Sequence, residues 1–233
     1  ADQAALRYLD RLGWSAQGML AMFSRLDAQD AMIFNRRDPY LLTHPMSHER
    51  FLRVERHVQA VGPRDPGRTA AFEAPFRMVK AKLEGFLNAP AFVARAYPPT
   101  DPSPEARYAH AVLNHRMGHH DRAVVILDTL LHEQPGNPWL HELKGQVLLE
   151  NGQPRQAVGP YQRAMQLAPD QALIRRGLGH ALLETGDIPM IRQSIPHLRS
   201  ALAYNRDDPS TWHLLGIAWG RLGELGEANL ALA

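Results

Sequence analysis

The feature that most constrains this chain is a period. Small residues recur in steps of 34: Ala111, Gly145 and Gly179 form one column, and Gly118, Gly152 and Gly186 a second. Ala123 and Ala157 start a third column, and Pro135 and Pro169 a fourth. A unit of this length holds two short helices and their turns. The first column supplies small positions where one helix crosses closely over another. The second falls where the chain reverses, a place glycine enters cheaply because it tolerates positive φ. The prolines stop the second helix. Such a pair exposes apolar surface that only a neighbouring pair can cover, so the units must stack. Three extra residues fall around Asp187-Ile188-Pro189-Met190, after which Trp212, Gly216, Trp219, Gly223 and Ala228 resume the pattern. The insertion is expected to lengthen a turn without breaking the stack. The last unit reaches Ala233 partway through its second helix.

Gly145, Tyr161, Ala164 and Pro169 match the small, aromatic and terminal proline positions of the tetratricopeptide repeat (TPR) family, which residues 104–233 resemble over about three and a half repeats. The fold class expected is therefore all-α, a TPR helix-turn-helix solenoid. In such stacks the first helices line a concave groove. By register its surface is Tyr108, Val112 and His115, then Trp139, Glu142, Gln146 and Leu149, then Arg176, His180 and Leu183, and finally His213 and Ile217. The apolar members, Val112 and Leu149 above all, either line the groove or pack between repeats. A protein or peptide partner suits this mixture of apolar and charged side chains. The Lys and Asn clamp with which TPR co-chaperones hold a terminal carboxylate is absent, because Tyr108 and Val112 stand there.

The first hundred residues lack the columns. Ala5, Leu6, Leu9 and Leu12 fall at helical spacing, with Gly13 as the stop, and a second helix follows over about residues 16–28 with Met19, Met22, Phe23 and Leu26 on one face. A loop over 35–45 leads to a helix ending near Val61. A Pro/Gly/Arg stretch, Gly62 to Arg68, precedes another helix from about Ala70 to Leu87. The organisation expected is residues 1–61 as one helical unit, 62–103 as linker and connecting helices, and 104–233 as the repeat array.

Ala1-Asp2 opening a helix, the Gly13-Trp14 turn, a Met/Phe-rich helix and Thr43-His44-Pro45 before an Arg-containing helix, all followed by TPR units, resemble the C-terminal part of the BepA-type zinc metallopeptidases, periplasmic relatives of HtpX. The resemblance implies that residues 1–61 are a helical remnant of a metallopeptidase domain. It also implies zinc in a full-length parent, and a periplasmic location. The partners it implies are outer-membrane assembly machinery or unfolded substrates. It makes Asp2 a residue that orients a ligand His, the ligand Glu itself lying four positions before Asp2. It makes His44 a gating loop residue over the zinc, the one metal-contacting candidate here; without it, His44 reads as an ordinary loop residue before proline. No H-E-x-x-H occurs in this chain: His132-Glu133 and His141-Glu142 both lack the second His at i+4. This chain alone is thus expected to be inactive and to hold no tightly bound zinc. The alternative is a non-enzymatic TPR adaptor.

Composition excludes some classes. Lys occurs only at positions 80, 82 and 144, so the basic residues are nearly all Arg, and their spread over a chain of net charge +2 speaks against a nucleic-acid face. Cysteine is absent, which removes disulfides and thiolate metal sites. No apolar run approaches the 18 or so residues that span a bilayer. His115, His119 and His120 are close in sequence, and with Gly118 interrupting the helix they are expected to form a solvated turn rather than a metal site.

Overall fold

The computed structural model describes residues 1–34, 47–62, 64 and 67–233, and His44 lies outside them. Among the described residues there are thirteen helices and no strand. They fall into two compact units, Ala1–Phe76 and Arg77–Ala233. The division lies inside a helix that sequence reading assigns to the connecting stretch.

The first unit contains α1 (Asp2–Leu12), α2 (Gln17–Phe34), α3 (Ser47–Val61) and the start of α4 (Gly67–Leu87). Gly13 ends α1 with φ of 68°, and its reversal lets Gly13 N–H donate to Asp10 O and Trp14 N–H to Leu9 O, capping carbonyls the helix cannot satisfy itself. Leu6, Ala16, Phe23 and Val54 form the core, with Leu9, Met19, Leu20, Phe51 and Val58 packed around them. The apolar face expected on α2 is only half used: Phe23 is buried, while Met22 is exposed.

The second unit takes the rest of α4, the short α5 (Pro90–Ala96), and four helix pairs: α6 (Pro104–Arg116) with α7 (His120–Glu133), α8 (Pro138–Glu150) with α9 (Pro154–Leu167), α10 (Ala172–Glu184) with α11 (Ile188–Tyr204), and α12 (Pro209–Arg221) with α13 (Leu225–Leu232). The helix starts are written in the sequence. Ser103, Asn137, Asp187 and Asp208 each accept a backbone N–H of the first turn through the side chain, and proline stands at the first or second position after each. Gly118, Gly152, Gly186 and Gly223 all take positive φ, between 70° and 82°, in the turns between paired helices.

The other glycine column is a packing column. A Cβ on Gly145 would stand 2.7 Å from the Tyr161 ring, one on Gly179 2.7 Å from Leu198, and one on Gly216 2.6 Å from Leu232. These pairs locate the three-residue insertion and correct the sequence reading. The turn before α11 keeps its length, and α11 itself has 17 residues where α9 has 14. The extra residues lengthen a helix by most of one turn, about 3.6 residues, so the half of α11 beyond them returns to nearly the same face and Leu198 still meets Gly179.

Candidate partner-binding face

The first helices of the pairs carry the face expected to bind a partner, and part of it is already covered by the chain itself. The C-terminal half of α4 lies against α6 and reaches α8. Gly85 sits so close to α6 that a Cβ there would be 3.0 Å from the Val112 side chain. Arg116 of α6 donates to the carbonyls of Gly85 and Asn88 at 2.6 and 2.7 Å, capping the end of α4. Arg77 pairs with Glu105 at 2.6 Å, and Lys82 pairs with Glu142 of α8 at 2.8 Å while its ammonium stands 5.9 Å from the centre of the Trp139 ring. Ala81 is fully buried, and Phe86 meets the His115 ring edge-on at 6.4 Å. The helix fits because Ala81 and Gly85, four residues apart, present a smooth stripe.

This contact decides where the expected groove residues stand. Tyr108 and Val112 are buried, and His115 is only 6% exposed, in the layer that α4 covers. Leu183 is buried too, packed with Ile191, Leu198 and Leu215 between the third and fourth pairs. These four side chains are core in this structure and present no open surface. Glu142, Gln146, Leu149, Arg176, His180 and Ile217 are partly exposed, and Trp139 and His213 are exposed. Leu149 and Ile217 are partly buried, each packed against the apolar cluster beneath it. The solvated turn expected around His115 to His120 is likewise corrected. Gly118 does break the helix, but the reversal folds His120 back onto a buried His115.

The electrostatics follow from burial. Burial, then the charge of Glu142, drives the Tyr108 phenol far above its ordinary range, and its hydroxyl is buried without a hydrogen-bond partner. Burial lowers the pKa of His180, so that the ring favours its neutral form. Arg176 reaches Asp208 at 3.4 Å, and the Thr211 hydroxyl donates to that same carboxylate and, more than Arg176, holds it below the ordinary range. In the first unit, Arg50 donates two hydrogen bonds of 2.8 Å to the Asp2 carboxylate and holds its pKa down, while the guanidinium also stacks 4.4 Å from the centre of the Phe23 ring. Asp2, expected to orient a ligand His, is thus held by an arginine.

No family model matches the chain. A curated beta-barrel assembly-enhancing protease of Yersinia pestis is 25% identical over 230 residues, which is 96% of this chain and 46% of that protein. The counterpart from Escherichia coli K12 is 25% identical over 244 residues, covering 100% of this chain and 47% of its own length. The chain is homologous to the beta-barrel assembly-enhancing proteases. It spans about half the length of these relatives. Among solved structures, MamA of MSR-1 superposes with a TM-score of 0.55 at 17% identity, covering 70% of this chain and 91% of MamA. MamA of Desulfovibrio magneticus RS-1 gives 0.53 at 21% identity, over 65% of this chain and 90% of the other. A thermophilic TPR protein of Thermus thermophilus gives 0.50 at 20% identity, over 60% and 76%. These establish an all-helical, TPR-like fold.

Zinc is the metal that the resemblance to metallopeptidases implies. The residues present do not fit a catalytic zinc: the sequence has no H-E-x-x-H, and among the described residues no three His, Asp or Glu side chains gather as ligands. No helix among the described residues is long and apolar enough to cross a membrane.

Proposed function

We propose that this chain is the partner-binding, C-terminal part of a zinc metalloprotease that acts in periplasmic protein quality control. The observation that carries the reading is the homology to beta-barrel assembly-enhancing proteases over the whole chain, the first unit included, joined to a TPR stack whose inner face is only partly covered. In this reading the peptide-bond chemistry belongs to residues upstream, and this part selects what reaches them. Gln146, Arg176, His180 and His213 form the open portion of the face, beyond the seat of α4. A protein or peptide engaged in outer-membrane assembly, or an unfolded substrate, is the partner class.

A photo-crosslinking amino acid placed at His180 or His213, in the protein as expressed in its own cell, tests this. Adducts are expected from those positions and not from Val125, an exposed residue of α7. Adducts from Val125 alone would move the interface away from the inner face. The protease assignment is checked separately, by the coding sequence upstream: it requires an H-E-x-x-H and a Glu four positions before Asp2. Without them the chain is a TPR adaptor.

A further inference from the structure

The turn between α6 and α7 brings together two imidazoles that the binding face does not use. His115 occupies the last turn of α6 and His120 is the first residue of α7. Gly118, at φ of 75°, reverses the chain between them. Their Nδ1 atoms stand 3.3 Å apart, with ring centres 5.4 Å apart and ring planes inclined at 56°. On the far side of the His115 ring, Nε2 lies 3.0 Å from the carboxylate of Glu150 on α8. Glu150 is steadied in turn by the Gln146 amide at 2.9 Å.

The far nitrogen fixes the near one. Nε2 of His115 donates its hydrogen to the carboxylate, so in the neutral ring Nδ1 carries the lone pair, and that lone pair faces His120. The separation of 3.3 Å lies beyond the usual reach of a good N–H donor, about 2.7–3.2 Å. It coincides with the spacing set by a tetrahedral ion: two nitrogens each about 2.0–2.1 Å from a common centre lie about 3.3–3.4 Å apart. A carboxylate on the second nitrogen of a ligand histidine is the arrangement that fixes the tautomer and raises ligand basicity in metal sites. His115 is buried and rigidly held, and His120 is partly exposed, so the coordination positions left over open to water.

We propose that His115 and His120 bind one divalent transition-metal ion of imidazole preference, such as zinc or nickel, through their Nδ1 atoms, with Glu150 orienting His115. With two protein donors the ion is exchangeable. Its effect is mechanical. It pins α6 to the start of α7 and, through Glu150, ties the first pair to α8, while Phe86 of α4 packs edge-on to the same His115 ring.

The test uses the tag-free 233-residue chain with zinc chloride or nickel chloride as the probe, read by calorimetry and by nitrogen-15 spectra of the histidine side chains. One ion per chain is expected, with zinc shifting the Nδ1 resonances of His115 and His120 only. His120→Asn, at a partly exposed position, should weaken binding at least tenfold and leave the fold intact. Glu150→Gln should weaken it about tenfold or more, without removing a ligand. No saturable binding would overturn the proposal and leave the pair as a hydrogen-bonded contact. So would an affinity unchanged in His120→Asn, which would place the ion on other histidines.

Discussion

The ring of Tyr161 lies so close to Gly177 that a Cβ on that glycine would stand 2.4 Å from the ring edge. Gly145 crowds the same ring from α8, its Cβ position 2.7 Å away. One aromatic side chain of α9 is therefore clamped between backbones of α8 and α10, which couples the second pair to the third. Any side chain at either glycine must displace the ring, and overpacking of this kind costs about 1–3 kcal/mol. Gly177→Ala and Gly145→Leu should each lower the urea midpoint, the leucine more. Because both act on one ring, their effects combined with Tyr161→Leu should fall well short of additive. Additive effects would mean that the ring is not the shared obstacle.

The seat of α4 on α6 rests on a second close approach, between Gly85 and Val112, and here the expected outcome is detachment rather than global unfolding. Gly85→Leu places four carbons where the Val112 side chain already stands 3.0 Å from the Cβ position. Hydrogen exchange over residues 77–87 should accelerate, while α8 to α13 keep their protection. Unchanged exchange in α4 would show that the Arg116 and Lys82 contacts hold it without the close fit.

Acid should weaken the third pair. Burial lowers the pKa of His180, and that of His197, below the ordinary 6.5. The unfolded chain then takes up protons first as pH falls, so the contribution to stability is whole above about pH 6.5 and is lost as pH drops through the folded-state values. Urea midpoints measured at about pH 7.5 and about pH 5.5 should show the decline, and His180→Gln should flatten it. A slope unchanged in the variant would assign the acid sensitivity to other groups.

The period, the helix starts and the four inter-helix turns were legible because each is set locally, by a proline, a capping side chain or a glycine with positive φ. The insertion was legible in size but not in place. The turn glycine Gly186 and the start of α11 both keep the period, so the extra residues show only through the contact of Leu198 with Gly179. The seat of α4 was not legible at all. Ala81 and Gly85 announce a smooth stripe but not its target, which lies in α6 and repeats with no period. That one long-range contact moved Tyr108, Val112 and His115 from the expected groove into the interior. The turn at Gly118 is set by its own residue, yet its consequence for His115 and His120 depends on the exit angle of α7, which no spacing rule supplies.

Trp139 tests where the inner face ends and the seat of α4 begins. It is 43% exposed, its ring lies beneath the Lys82 ammonium, and Lys82 is anchored to Glu142 one helical turn further along α8. Two roles follow from that position, and they separate by measurement. As part of the seat, Trp139 holds Lys82 by a cation–π attraction of about 0.5–1 kcal/mol, so Trp139→Ala should loosen α4 modestly in hydrogen exchange. As an aromatic anchor at the rim of the open face, it should cost about 2 kcal/mol of partner affinity when truncated. Both effects are expected, because an exposed ring flanked by a fixed cation offers one side to α4 and the other to a ligand. The check pairs exchange over residues 77–87 with crosslinking yield from a probe at His180. Loosened α4 with undiminished yield would confine Trp139 to the seat, and the binding face would then begin at Gln146.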